Sequence, residues 1–329
     1  MRAAFACLAL ALLTALPLRA ECIGTNLINA LPADERAALE ARAHAVPFAQ
    51  GNLWQAHRDG AQITLVGTYH LDDPRHAATL TALGPAVQSA STLLVEAGPE
   101  EESALQADVA ANPERLILPS GPTLPEALGE DNWQRLSDAL RARAMPPFMA
   151  AKMQPWYIMV MLSIPACQFA ETASANGLDK QLIAQAQAAG VPVRAVEPYD
   201  TIFTIFDSIA SPDQYALLMQ AVDAAEAGDD MAVTLSDSYF AGENRLLWEF
   251  TKVDAQSRSG LTPEEAERYF ALMEEVMISR RNHAWIAPIE AAAAQGPVVV
   301  AVGALHLPGE AGVLNLLAQN GWTISPLAP

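Results

Sequence analysis

The chain reads as an α/β protein, a central, mostly parallel β-sheet flanked by helices, with a long helical insertion before the last strands. Three observations point there. Short apolar runs rich in β-formers recur at residues 63–66, 92–95, 191–196 and 298–302, and such runs read as buried strands. Alanine-rich stretches of helical length separate them, and residues 201–292 are almost wholly helical in composition. Two of the runs end in matching tetrapeptides, Gly67-Thr68-Tyr69-His70 and Gly303-Ala304-Leu305-His306. A glycine there lets the chain turn sharply or be closely approached, and the histidine then projects over the C-terminal edge of the sheet. Open α/β sheets bind their ligands at that edge.

The elements follow in order. Residues 1–20 form a secretory signal peptide, with Arg2 as the basic start, an apolar run from Ala3 to Pro17 and a small Ala20 before the cut. The apolar run is too short to span a membrane. The mature chain, residues 21–329, is expected to form one α/β domain. Residues 32–50 are dense in Ala, Leu, Glu and Arg and read as a helix, followed by the strand to His70. A helix over residues 74–90 leads to the strand ending at Glu96. One or two amphipathic helices cover 124–144 and stop at Pro146-Pro147, and an apolar helix runs through 156–161. Gly177-Leu178-Asp179 opens a helix closed by Gly190, and the strand over 191–196 ends at Glu197. The helical block breaks near Ser211-Pro212 and Gly260. The strand to Gly303, a helix over 309–320 and a strand at 321–324 complete the sheet.

Composition removes several function classes. The formal net charge is −19, and loss of Arg2 and Arg19 with the signal makes the mature side chains more negative. So acidic a chain repels phosphate backbones, which excludes nucleic acid as a partner. No membrane span remains after signal removal, because Lys152, Gln154, Pro155 and Pro165 interrupt the most apolar internal stretch. Cys7 leaves with the signal, and the even pair Cys22 and Cys167 in an oxidising compartment points to a disulfide. Serine-hydrolase elbows, HExxH, phosphate loops and dinucleotide fingerprints are all missing.

Four polar residues mark the strand ends: His70, Glu96, Glu197 and His306. A carboxylate at the end of a buried strand is costly unless paired or ligated. Two neutral imidazoles and a carboxylate suit a metal or an acid/base site. His44, His57, His76 and His283 lack such framing and read as surface or packing residues. Asp73 reads as a cap for the helix after Pro74. In Arg280-Arg281-Asn282 two adjacent arginines cannot share a helix face. Arg281 is expected to point inward, orienting Glu96 or stabilising an oxyanion, with Asn282 as a second polar contact. Tyr69 is expected to face away from His70.

Together these pieces resemble the TraB/GumN family, whose relatives include the Tiki proteases. The residues that carry the resemblance are Gly67-Thr68-Tyr69-His70, Glu96, Gly177-Leu178-Asp179, Arg281-Asn282 and Gly303-Ala304-Leu305-His306-Leu307 with Gly309 and Gly312. Leu316-Leu317 and Gly321-Trp322 fit the family's closing helix and strand, and the likeness runs from about residue 47 to the end. It implies a fold of the erythromycin-esterase and ChaN-like type, with the paired motifs and a glutamate as active centre. In the Tiki branch it implies metal-dependent peptide hydrolysis.

The expectation is therefore a secreted, periplasmic, metal-dependent hydrolase of the peptidase kind, with a peptide or small-molecule substrate as its partner. His70, His306 and Glu96 would hold a divalent Zn, Mn or Co ion, and Glu96, Arg281 and Asn282 would do the catalytic work. Gly67 and Gly303 would be the motif glycines. Two alternatives stand beside it: a metal-independent esterase using His70 and Glu96, and a binding protein for haem or another small ligand of the ChaN-like type. The sequence says nothing of oligomeric state.

Overall fold

A computed structural model describes residues 22–169 and 176–327, so the expected signal peptide lies outside the described residues. Six strands form one sheet in the order β4-β3-β5-β2-β1-β6. They are β1 (Leu53–Arg58), β2 (Ala61–Thr68), β3 (Thr92–Val95), β4 (Val193–Ala195), β5 (Val298–Gly303) and β6 (Thr323–Pro326). β4, β3, β5 and β2 run parallel, while β1 is antiparallel to both β2 and β6. The predicted mostly parallel α/β sheet is therefore present.

β1 is the strand that sequence patterning missed. It is half polar, with Gln55 and His57 facing partly outward, so no apolar run announces it. The signal lay in the turn, because Asp59 and Gly60 both take positive φ, 51° and 85°. This Asp-Gly pair closes the two-residue hairpin between β1 and β2. The strand expected over 191–196 is reduced to three residues, and the helix expected over 32–50 covers α1 (Ala33–Ala43).

The remaining helices divide by the surface they cover. α2 (His76–Ser89) lies between β2 and β3. After β3 come α3 (Pro99–Ala111), α4 (Leu124–Leu128), α5 (Glu130–Arg141), α6 (Pro147–Ala150), α7 (Pro155–Leu162), α8 (Ala166–Phe169) and α9 (Leu178–Ala188). α3 also escaped notice, since no residue of it is buried and no apolar stripe marks it. Beyond β4 run α10 (Thr201–Asp207), α11 (Ser211–Glu226), α12 (Gly228–Phe240), α13 (Asn244–Ser259) and α14 (Pro263–Met273). A π-helical turn (Glu274–Ser279) leads into α15 (Arg280–Ala293), and α16 (Val313–Gln319) precedes β6. The expected helical block is present, with its breaks at Ser211 and Gly260 and further ones near Gly228 and Gly242.

Strand alternation divides the core. Val298, Val300 and Val302 of β5 pack with Trp285, Ile289, Leu314 and Leu317 on one face. Val299 and Ala301 pack with Leu83, Val87, Leu178 and Leu182 of α2 and α9 on the other. A separate apolar cluster joins α5, α7, α10, α11 and α14. It buries the block's own stripe and leaves a second apolar surface facing the strand ends. Among the described residues, no helix is long and apolar enough to cross a membrane.

Cys22 and Cys167 are joined in a disulfide, with Cα atoms 5.4 Å apart and 145 residues between them in sequence. The N-terminal arm is also tied to α12 by Thr25 N–H donating to Asp230 and Leu27 N–H donating to Thr234. Closing so long a loop removes unfolded-state entropy worth about 4–5 kcal/mol as an upper value. Replacing both cysteines by serine is expected to lower the urea midpoint of the protein. Equal midpoints for oxidised wild type and the double variant would contradict this.

Candidate active site

The parallel strands β2, β3, β4 and β5 end at one edge, and all four marked residues lie there. Register makes the two tetrapeptides neighbours, since Thr68 pairs with Gly303. Each glycine answers a close approach. A Cβ on Gly67 would sit 3.0 Å from the Ala304 backbone, and one on Gly303 would meet Glu96 Oε1, His70 Nε2 and His306 Cδ2 at 3.1, 3.4 and 3.5 Å. His70, Glu96 and His306 therefore surround the Gly303 Cα. A third glycine, Gly177, lies against the His70 main chain, where a Cβ would come within 2.3 Å of its carbonyl carbon. Leu178 N–H donates to the Tyr69 carbonyl beside it.

Arg281 occupies the centre. Its Nε and Nη2 donate to Glu197 at 2.9 and 2.7 Å, and Nη2 also donates to Glu96 Oε2 at 2.5 Å. Nη1 donates to the Met277 carbonyl at 3.0 Å and faces His306 Nε2 at 3.2 Å. These contacts use all five guanidinium N–H groups. The Met277 carbonyl belongs to the π-helical turn, whose wider pitch sits one residue before α15. Trp285, one helical turn after Arg281, is fully buried, donates to Glu197 and packs against the His306 ring. Arg280 points out to Glu275.

The two histidines are held alike and charged differently. His306 Nδ1 lies 2.6 Å from Asn282 Oδ1. Asn282 spends its amide N–H groups on the carbonyls of His306 and Ala311, so its oxygen is the acceptor and His306 carries its proton on Nδ1. Nε2 is then a lone pair facing Arg281. His70 Nδ1 instead faces a carboxylate, Asp179 Oδ1 at 3.4 Å, an ion-pair contact rather than a well-aligned hydrogen bond. The His70 side chain is more than half exposed to the cleft, whereas His306 is buried.

The titration behaviour follows from these partners. At His70, partial removal from water opposes the charge, but the Asp179 contact and charge, with Glu96 behind it, prevail and raise the ring to about 9. At His306, burial leads and Arg281 and His70 add to it, against the pull of Glu96. The ring is pushed down to about 4. Burial also works against the Glu96 carboxylate, but His306, Arg281, His70 and the Gly303 N–H (2.6 Å) outweigh it and hold Glu96 down to about 2. Because His306 is neutral through most of the pH range, Arg281 is the permanent cation that keeps Glu96 ionised.

These groups floor a cleft of about 600 Å³. Tyr69, expected to face away, lines it and stacks on Tyr239. The Thr68 hydroxyl also lines it, and this buried oxygen has no hydrogen-bond partner among the described residues. The histidines set aside in the sequence lie elsewhere: His76 is buried against Tyr239 and Phe240, and His44 pairs with Glu243. Asp73 accepts from the Arg75 N–H at the entry to α2.

A divalent ion on His70, His306 and Glu96 would need three donor atoms closing on one point. Among the described residues, the one group of three or more His, Cys, Asp or Glu donors lying within 4.8 Å of each other is Cys22, Cys167 and Asp229. Two of those sulfurs are consumed in the disulfide. Arg281 lies against both His306 Nε2 and Glu96 Oε2, so in this arrangement the cation at these donors is a guanidinium, which a metal held by the three side chains would have to displace. Patterning also missed what places them. Asp179 and Gly177 stood in the sequence as a motif without a role, and Trp285 gave no signal beyond its distance from Arg281.

The TraB/PrgY/gumN family model matches residues 52–326. The chain belongs to that family. It is 24% identical over 254 residues to the Uncharacterized protein YbaP of Escherichia coli (strain K12), covering 77% of this chain and 86% of that protein. The protein of the same name from Shigella flexneri matches to the same extent. The family match spans every strand of the sheet and every residue of the site.

The carboxylate at Nδ1 raises His70, whereas His306 has an amide there and is lowered by burial with Arg281 and His70 beside it. Asp179→Asn is expected to lower the His70 pKa from about 9, and Asn282→Asp to raise that of His306 from about 4. Imidazole NMR titration reads both directly. Unmoved values in both variants would show that the Nδ1 partners do not set the charge.

Proposed function

We propose that this protein is a hydrolase of ester or amide bonds in which two histidines with opposite protonation share the proton transfers. What supports the reading is the pair itself: two imidazoles around one glycine in one cleft, one open and with Nδ1 against the Asp179 carboxylate, the other buried and with Nδ1 on the Asn282 amide oxygen. Titratable groups pushed to opposite sides of neutrality within one site mark acid and base roles.

In this reading a water molecule attacks the substrate carbonyl carbon and gives its proton to His306 Nε2. That nitrogen is engaged by the longest of the Arg281 contacts, which is the easiest to give up. As Nε2 takes the proton, the Arg281 Nη1–H loses its acceptor and turns toward the negative oxygen forming on the carbonyl. The Thr68 hydroxyl is a second donor without a competing partner. Collapse of the tetrahedral species breaks the bond to the leaving group, which takes the proton from His70 Nε2. Asp179 steadies the imidazolium beforehand, and Asn282 fixes the His306 tautomer. Glu96 and Glu197 hold the guanidinium in place and act as positioning residues.

A metal-dependent peptidase built on His70, Glu96 and His306 is the reading that the family resemblance favours. It would need Arg281 to withdraw from His306. The basic and apolar start of the chain, together with the Cys22–Cys167 disulfide, supports a secreted, periplasmic location.

The pH profile of kcat/KM on an activated ester tests the assignment. Activity requires His306 neutral and His70 protonated, so it is expected to be level between about 4 and about 9 and to fall on both sides. A rate that climbs through 9 would instead make His70 the base. His70→Ala and His306→Ala should each lower kcat/KM by roughly 10²–10⁴-fold. Activity lost to 1,10-phenanthroline and restored by zinc would replace this mechanism with the metal-dependent one.

A further inference from the structure

We infer that the substrate of this cleft is an uncharged acyl ester or amide whose acyl part is an apolar chain of medium length, laid along the helical block. This rests on the hydrolase reading for the bond that is cut, but the class of ligand follows from independent features of the cleft. The first is the contrast between floor and wall. All the charged groups gather over the strand ends, while the facing wall is built from Val160 of α7 and Ile164 just after it, Ile202 and Ile205 of α10, Leu247 of α13 and Met277 of the π-helical turn. Val160 is 40% exposed. A volume of about 600 Å³ lies within the usual range for small-molecule sites, roughly 300–1000 Å³, and far exceeds what an acetyl group fills.

The second feature excludes anions. A site for a carboxylate or phosphate offers unspent cationic donors, commonly an arginine fork. Here the five N–H groups of Arg281 are taken by Glu197, Glu96, Met277 and His306. His70 Nδ1 faces Asp179, which leaves one N–H at Nε2, the one assigned above to the leaving group, and no fork for a carboxylate or phosphate. Of the charged side chains that line the cleft, Arg281 and His70 are matched by Glu96 and Glu197, so the floor offers no excess of positive charge. The formal charge of −19 on the whole chain repels anions further. The chemistry left is a neutral polar group held at the floor and hydrocarbon held along the wall.

Burying a methylene is worth about 0.8 kcal/mol, or roughly three- to fourfold in affinity. Across p-nitrophenyl acetate, butyrate, hexanoate and octanoate, kcat/KM is expected to rise by about that factor per methylene until the wall is filled. Val160→Asp, at an exposed wall position that folding tolerates, should flatten the series. A binding experiment separates the ligand class from catalysis: octanol should displace the neutral dye Nile red from the wild type, octanoate at pH 7 should do so far more weakly, and Val160→Asp should weaken the octanol effect. Octanol binding without hydrolysis of any ester would sustain the ligand class and overturn the hydrolase reading. Ester hydrolysis independent of chain length, or displacement by octanoate as strong as by octanol, overturns the inference and leaves the hydrolase reading standing.

Discussion

The edge of this sheet depends on one guanidinium. β3 and β4 are parallel neighbours, and each is followed within two residues by a glutamate, Glu96 and Glu197. Two carboxylates at adjacent strand ends, both largely buried, would repel each other and lose most of their hydration. Arg281 enters from α15 and satisfies both, at 12% exposure of its own side chain. Removing one member of such a buried cluster characteristically costs about 3–5 kcal/mol, because the others are left charged without a partner. The cluster therefore fixes the spacing of β3, β4 and α15 together. Because Glu96 also accepts the Gly303 N–H, β5 is drawn into the same arrangement.

That constraint explains why the helical block is where it is. Arg281 reaches the strand ends only if α15 starts above them, and the π-helical turn before it supplies the carbonyl that accepts its last N–H. Met277 and Ile278 of the same turn line the cleft. The segment that positions the cation thus also presents part of the apolar wall, so one local distortion of the helix touches both the polar floor and the wall. Trp285 completes the link by filling the space under Arg281 and against His306.

Much of this was legible from the residues alone, for physical reasons that differ by element. β2 and β5 are buried on both faces, so their apolar runs are continuous, and the glycines that end them are required by close approach. Arg281 could be chosen over Arg280 because adjacent residues on a helix diverge by about 100°. β1 was not legible from hydrophobicity, since its polar positions face outward, although its Asp59-Gly60 turn was a usable signal. Asp179 and Asn282 were visible as motif members without roles. Their roles depend on which ring nitrogen each one meets, and that is fixed by contacts between residues 109 and 24 positions apart in the chain. The apolar wall was least legible, because its residues come from four separate helical segments and form a surface only when packed.

The two Gly-x-x-His motifs look equivalent in sequence and are not equivalent in the fold. Both imidazoles have Nδ1 engaged by a side chain from the first turn of a helix, Asp179 in α9 and Asn282 in α15. Both rings lie near the Gly303 Cα. One partner is an anion and the other a neutral amide, and one ring is open to the cleft while the other is buried beside Arg281. A carboxylate partner favours the imidazolium, whereas an amide oxygen fixes a tautomer without supplying charge. A repeated motif thereby sets two imidazoles in different surroundings, through a different partner at each Nδ1 and a different depth of burial. Glu96, committed to Arg281 and the Gly303 N–H, is the contact that holds both rings around the Gly303 Cα.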